Sequence, residues 1–328
     1  MPWRETAAEI ARARAEQPET LPTAQGTLFG IFTPPDPSAP AARQCVVLFT
    51  RPRSHRNRMW VEAARRLATR GFGAFRFDYH GTGDSEGESA YLNPNQPYRD
   101  DTLAVLRMLR ERHGYQRFLL AGSCFDARTA LSAFVDEGAA VDALVFFSAP
   151  VMELDTLVKA HADRKDWRHV LRALGNPENW RSLGSAERWR YMATVLGRVA
   201  GGGGRGAARN DTPLADSFVE DFSALVRSGA KALFVYGDAD AEYASFQVAQ
   251  QTVFPRLTPE QRARFEIEVW PGDVHGFLNV PLQRRALEHA LAWLERFGSQ
   301  PPHSQSPPSQ PLAGLAGDAN ENAKAPLQ

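Results

Sequence analysis

A cysteine lies between a short apolar segment and a helix-forming segment near the middle of the chain. Residues 118–122 predict a strand, and residues 125–137 predict a helix that follows almost at once. Cys124 falls in the turn between them, with Gly122 two residues before it. Such a strand–turn–helix junction can hold a nucleophile above a sheet, because small residues at the turn leave room for the neighbouring backbone. We therefore predict that the Cys124 thiol attacks a carbonyl carbon and forms an acyl-thioester intermediate.

Ser123 is the rival nucleophile at this turn. If the turn is centred on Ser123, Phe125 lies two residues after it, where a bulky phenyl group fits poorly. A third interpretation makes Cys124 a small buried residue, which is common for free cysteines. The preceding glycine and the adjoining helix favour Cys124 as the nucleophile. They also favour the backbone N–H of Phe125, at the positive end of that helix, as a donor to an oxyanion.

The segment Gly122–Ala127 resembles the elbow of the α/β-hydrolase superfamily, particularly its members with a Gly-x-Cys-x-Gly sequence, such as the dienelactone hydrolases. The resemblance covers about residues 25–298, although its motifs occupy only a few short segments. Asp126 departs from the pattern, because the family usually has glycine there. The resemblance implies a Cys-His-Asp triad in the chain order nucleophile, acid, histidine.

Two later segments match the acid and the base that this resemblance implies. The strand-like run 231–237 is followed by Asp238 and Asp240. The family's acid usually lies three residues past the glycine that ends this strand, which selects Asp240 and leaves Asp238 as the rival. His275 follows the strand-like run 265–270 and precedes Gly-Phe, where the superfamily keeps its base.

Two further loops are predicted beside the site. The loop after the strand-like run 45–49 contains four arginines and a proline, and the resemblance places the second oxyanion donor there, on Arg51 or Arg53. These arginines could instead form a solvated turn or bind an anionic part of the substrate. Residues 75–87 resemble the family's Asp-x-x-Gly-x-Gly-x-Ser turn, in which we interpret Asp78 as structural.

Alternating strand-like and helical segments must position these residues. Continuous apolar runs followed by helical segments predict an α/β protein with the α/β-hydrolase fold, a doubly wound, mostly parallel sheet with an inserted helical cap. A tryptophan-rich helical interval interrupts the alternation, and the C-terminus is rich in proline and serine. The predicted segments are a charged N-terminal segment (1–23), a first core part (24–150), the cap (151–228), a second core part (229–298) and a disordered tail (299–328).

The composition predicts which classes of partner and cofactor to expect. Acidic and basic residues balance at 38 each, which predicts neither a nucleic-acid nor a membrane partner. No apolar run is long enough for a bilayer span, and two cysteines predict reduced thiols in a cytoplasmic protein. Histidines, cysteines and carboxylates do not cluster at metal-ligand spacing, so we predict no metal and no cofactor.

Three functions remain open at this point. The leading hypothesis is a hydrolase that cleaves a carboxylic ester, thioester or lactone through the predicted triad. An acyltransferase or cyclase would use the same residues but exclude water, and a non-catalytic binding protein would keep only the fold. The expected partner is a small-molecule acyl substrate, free or carrier-bound, and the sequence does not predict an oligomeric state.

Overall fold

The computed structural model describes residues 15–40, 44–49, 53–88, 98–152, 214–275 and 280–298. Within these ranges the strands are β1 (Gln17–Thr23), β2 (Gly26–Thr33), β3 (Gln44–Phe49), β4 (Gly73–Asp78), β5 (Arg117–Ser123), β6 (Val141–Phe147), β7 (Lys231–Gly237) and β8 (Phe265–Trp270). They form one sheet in the order β1-β2-β4-β3-β5-β6-β7-β8. β2 pairs antiparallel with β1 and with β4, and the other neighbours are parallel. The predicted mostly parallel sheet is confirmed.

The central strands are buried on both faces because their sequences are continuous apolar runs. Every residue of β3 and of β6 is buried. The described helices are α1 (Met59–Thr69), α2 (Arg99–His113), α3 (Phe125–Glu137), α4 (Asp216–Ser228), α5 (Ala241–Thr252), α6 (Pro259–Arg262) and α7 (Val280–Gly298). Alternation of these helices with the strands agrees with the predicted order of elements.

Helices cover both faces of the sheet, as a doubly wound fold requires. Leu67 of α1 and Leu291 of α7 pack in one apolar cluster on one face. Leu131 of α3, Phe222 of α4 and Phe246 of α5 belong to a second cluster on the other face. The two clusters hold the ends of the parallel strands, and the loops that follow them, in fixed positions.

The last part of the predicted cap forms a helix that packs on the core. Residues 216–228 were expected within the cap, but α4 packs on the core, where the rings of Phe222 and Phe234 have centroids 6.3 Å apart. Parallel strands β6 and β7 need a crossover connection, and α4 is its last part. The remainder of the predicted cap, residues 153–213, lies outside the described residues. The backbone N–H of Ala215 donates to the carbonyl of Val151 at 2.9 Å, so the described residues on either side of this interval lie next to each other.

Part of the predicted N-terminal charged segment is a strand of the sheet. Residues 17–23, expected in the charged segment, form β1 and pair with β2 through a tight turn at Gly26, whose φ is 129°. Residues 1–14 and the predicted tail, 299–328, lie outside the described residues. None of the helices in the described ranges combines the length and hydropathy needed to cross a bilayer.

Candidate active site

Cys124 occupies the tight turn between β5 and α3, as predicted. Its backbone has φ 54° and ψ −129°, a combination that non-glycine residues rarely adopt. Its N–H donates to the carbonyl of Phe147 at 2.8 Å, which ties the turn to the end of the neighbouring strand β6. The side chain is partly exposed. Backbone strain that the surrounding structure maintains is typical of functional positions.

Gly122 allows the start of α3 to approach the end of β5. A Cβ atom at this position would lie 2.8 Å from the backbone nitrogen of Ala127 and from the carbonyl oxygen of Asp126. Such contacts are too short for any larger residue. Asp126 itself is buried in the first turn of α3, where the helix dipole favours a carboxylate. The departure from glycine at position 126 therefore does not prevent the strained turn.

Ser123 is buried at the end of β5, in contact with the loop that follows β3. Its hydroxyl is buried, and its Oγ lies 3.2 Å from Nε2 of His55, a residue of the loop that follows β3. Successive side chains of a strand point to opposite faces, and Ser123 is the last residue of β5. The rival nucleophile thus has a structural hydrogen bond, while Cys124 stands at the strained position.

The imidazole of His275 lies next to a carboxylate that the sequence did not indicate. Nδ1 of His275 is 3.4 Å from Oε2 of Glu242. Glu242 belongs to the first turn of α5 and is 1% exposed, whereas the His275 side chain is 28% exposed. A buried carboxylate at Nδ1 can fix the tautomer of a histidine and stabilise its protonated form.

Asp240, the predicted acid, binds backbone instead of the imidazole. One oxygen of its carboxylate accepts the N–H groups of Val274, at 2.8 Å, and His275, at 3.0 Å. The other accepts the N–H of Gly237, at 2.7 Å, and the hydroxyl of Ser148, at 2.6 Å. This arrangement differs from the prediction because four hydrogen bonds already use both carboxylate oxygens. Asp240 instead fixes the loop that carries His275.

The rival acid Asp238 has a related structural contact. Its Oδ1 accepts the N–H of Gly272 at 2.7 Å, in the same loop after β8. Gly237 lets the two loops meet, because a Cβ atom there would lie 2.1 Å from the carbonyl oxygen of Gly272. Both aspartates therefore hold the histidine loop against the end of β7.

Three reactive groups converge at this edge of the sheet. The Cys124 sulfur, a carboxylate oxygen of Glu242 and an imidazole nitrogen of His275 lie within 4.8 Å of one another. They come from the turn after β5, the helix after β7 and the loop after β8, because the carboxyl ends of parallel strands meet at one edge. The second cysteine, Cys45, is fully buried, and burial raises the pKa of its thiol far above the ordinary range. It has no place in this chemistry.

Comparisons with known proteins agree with this geometry. A sequence model of the family described as serine aminopeptidase, S33, matches residues 40–182, which include β3 to β6 and the turn at Cys124. The strand order, the strained turn and this match lead to one assignment. The chain has the α/β-hydrolase fold. The family match agrees with the prediction that this chain is an enzyme of the hydrolase class.

Solved structures show the same fold at low sequence identity. An esterase of Pyrococcus furiosus is 15% identical with a TM-score of 0.56, over 91% of this chain and 97% of that one. A thermostable carboxyl esterase of Bacillus coagulans is 12% identical with a TM-score of 0.55, over 86% and 99%. A proline iminopeptidase of Mycobacterium smegmatis is 14% identical with a TM-score of 0.53, over 86% and 99%. No curated protein matches the sequence.

The predicted oxyanion hole has two donors, the N–H of Phe125 and a second N–H on Arg51 or Arg53. Phe125 is the first residue of α3, so its N–H has no partner within the helix and lies at the helix's positive end. Of the two alternatives for the second donor, Arg51 lies outside the described residues. The backbone N–H of Arg53 already donates to Oδ1 of Asp78 at 2.8 Å. Arg53 is thus not the donor in this arrangement.

The turn after β4 holds the Arg53 loop in place. Asp78 is completely buried and forms an ion pair with the Arg53 guanidinium, which also pairs with Asp84. Gly83 has φ 53°, and a Cβ atom there would lie 2.1 Å from Oδ2 of Asp78. The Ser85 hydroxyl donates to the carbonyl of Asp78 at 2.6 Å. The turn is structural, as expected, and the Arg53 charge is neutralised within the protein.

Proposed function

We propose that this α/β-hydrolase cleaves a carboxylic ester, thioester or lactone, with Cys124 as nucleophile, His275 as general base and Glu242 as the acid that orients the imidazole. The observation that carries the proposal is the convergence of these three groups within 4.8 Å at a strained turn of the elbow type. The proposal keeps the nucleophile and base expected from the sequence and replaces Asp240 with Glu242 as the partner of Nδ1.

The chemistry follows from the positions of the groups. His275 accepts the thiol proton as the Cys124 sulfur attacks the carbonyl carbon, and the resulting oxyanion lies near the Phe125 N–H. The imidazolium returns the proton to the departing alcohol or thiol, which leaves an acyl-thioester on Cys124. A water molecule, deprotonated by His275, then attacks this thioester and releases the carboxylic acid and the free thiol.

Glu242 and Asp240 have different tasks in this mechanism. The buried Glu242 carboxylate faces Nδ1 and stabilises the positive charge that His275 carries between the two proton transfers. Asp240 accepts hydrogen bonds from the backbone of Val274 and His275, which holds the base of the His275 side chain beside the nucleophile. Removal of one oxyanion donor costs about 2.7–4 kcal/mol in other hydrolytic enzymes, so the Phe125 N–H is expected to contribute substantially to the rate.

Intact-mass measurement tests this proposal directly. The protein is exposed to a panel of activated esters and acyl-thioesters, and the acylated residue is mapped after digestion. We expect one acyl group on Cys124, no adduct in Cys124→Ala, and an unchanged adduct in the control Cys45→Ala, whose thiol is buried. Turnover without any thioester adduct, or an adduct on Ser123, would contradict the cysteine mechanism.

The same experiment separates hydrolysis from the other two hypotheses. Product analysis with and without an added alcohol, amine or thiol distinguishes water from another acyl acceptor. A protein that only binds its ligand would show neither an adduct nor a product for any member of the panel.

A further inference from the structure

The three converging groups also have the composition of a metal site. A thiol sulfur, a carboxylate oxygen and an imidazole nitrogen are the three ligand types that zinc takes in proteins. Their atoms lie within 4.8 Å of one another in Cys124, Glu242 and His275. Among the described residues, no other group of three or more His, Cys, Asp and Glu side chains brings its ligand atoms this close together.

The spacing is close to that of a tetrahedral ligand set. With metal–ligand distances of about 2.0–2.3 Å, neighbouring ligand atoms around zinc lie roughly 3.3–3.8 Å apart. Nδ1 of His275 and Oε2 of Glu242 are already 3.4 Å apart. Small side-chain rotations are sufficient to bring the Cys124 sulfur to the same separation.

Charge and burial favour a cation at this place. A thiolate and a carboxylate supply two negative charges, and the neutral imidazole supplies a lone pair. Glu242 is almost completely buried, so little water competes for its oxygens. Cys124 and His275 are partly exposed, which leaves a path by which an ion enters and a position for a water molecule. A soft sulfur ligand selects Zn²⁺ over Mg²⁺ and Ca²⁺.

We propose that Cys124, Glu242 and His275 form a three-ligand site for a thiophilic divalent cation, Zn²⁺ in particular, and that the bound ion inhibits acyl chemistry reversibly. Binding displaces the thiol proton and occupies both the sulfur and an imidazole nitrogen. The cation thereby removes the nucleophile and the base together. Inhibition rests on the function proposed above, whereas the metal site itself does not.

Titration with Co²⁺, a spectroscopic substitute for Zn²⁺, tests the site without an assay of activity. We expect one equivalent to give a sulfur-to-cobalt charge-transfer band that Zn²⁺ abolishes. The band should be absent in Cys124→Ser, and the affinity should fall at least about 10-fold in Glu242→Gln. The band should be unchanged in Cys45→Ala. A band that survives Cys124→Ser, an affinity unaffected by Glu242→Gln, or the absence of saturable binding would overturn the metal site.

Parallel measurement of inhibition separates the two proposals. Zn²⁺ should inhibit turnover of the best acyl substrate over the concentration range in which it displaces Co²⁺, and a chelator should restore activity. A cobalt band in a protein that no acyl substrate modifies would overturn the proposed function and leave the metal site intact. Cys124-dependent turnover that Zn²⁺ does not inhibit would overturn the inhibitory role.

Discussion

Nε2 of His55 lies 3.2 Å from Oγ of Ser123, so the residue before the elbow cysteine is bound to the loop that follows β3. His55 has φ 58°, and Asn57 and Arg58 beside it also have positive φ. Three non-glycine residues in this conformation make the loop strained. Side-chain bonds hold it at both ends, through Arg53 to Asp78 and through Asn57 to Gln283 of α7 at 3.2 Å.

Substitution of Ser123 with alanine distinguishes its structural bond from a catalytic role. We expect Ser123→Ala to lower the free energy of unfolding by about 1–2 kcal/mol, because the half-buried His55 loses its hydrogen bond to the buried Ser123 hydroxyl. Acylation of Cys124 should continue. Urea unfolding and intact-mass analysis measure the two effects, and complete loss of acylation in a folded Ser123→Ala protein would support Ser123 as the nucleophile.

The two carboxylates after β7 should respond differently to neutralisation. Glu242→Gln is expected to lower kcat/KM about 100-fold or more with little change in stability, since a charge next to Nδ1 is lost. Asp240→Asn should instead lower the free energy of unfolding by about 2–4 kcal/mol, because an amide oxygen cannot replace the carboxylate in four hydrogen bonds.

Kinetic and unfolding measurements on both variants check this division of tasks. Glu242→Asp serves as a rescue control, since it retains the charge on a shorter side chain, and it should recover part of the lost rate. The opposite pattern, with a stable but inactive Asp240→Asn and a fully active Glu242→Gln, would return the role of acid to Asp240.

Gly83 is expected to tolerate alanine much less well than Gly114. Both have positive φ, 53° and 75°, but a Cβ atom at Gly83 would meet the Asp78 carboxylate at 2.1 Å, while nothing lies within 4 Å at Gly114. Gly114→Ala should cost about 1 kcal/mol for its conformation alone. Gly83→Ala should cost at least about 2 kcal/mol more, because the buried Asp78 carboxylate and its ion pair with Arg53 must move. Equal unfolding free energies for the two variants would contradict this.

The stability of α4 should depend on pH through Asp221. Burial, followed by smaller opposing effects of Arg128 and Arg99, raises the pKa of Asp221 to about 6. The unfolded chain releases this proton near an ordinary pKa of about 3.9. Between these values the folded state binds the proton more tightly, so the contribution of Asp221 to stability decreases as pH rises from about 4 to about 6.

Asp221→Asn, which cannot ionise, isolates this effect. The variant should become more stable relative to the parent protein as pH rises through that range, and the gain should be complete at pH about 7. Urea unfolding at several pH values measures it. Asp216→Asn, on the exposed start of the same helix, is the matched control and should show no such gain. A stability difference between Asp221→Asn and the parent that is the same at pH about 4 and about 7 would contradict the assignment.

The sequence predicted most of the fold because its signals are local. Apolar runs such as 45–49 and the glycine before Cys124 reflect burial and steric requirements of the immediate chain. The identity of the acid depends on contacts across the fold. The Asp240 carboxylate accepts hydrogen bonds from the backbone of a loop more than thirty residues away. The position of Glu242 opposite His275 depends on where α5 begins.

The packing of α4 and the proposed metal site escaped prediction for a related reason. Helical periodicity alone does not show whether α4 packs on an insertion or on the sheet; the contact of Phe222 with Phe234 decides it. Cys124, Glu242 and His275 come from three segments that share no short ligand spacing, so the parallel sheet alone brings them together.

Asp240 and Glu242 lie two residues apart at the start of α5, and the sequence can change at one of them while the other keeps its contact. Asp240 helps to hold the histidine loop, and Glu242 faces the imidazole. In the proposed mechanism these two tasks belong to different side chains, so a substitution at one position can change the catalytic acid without removing the bonds that hold the loop.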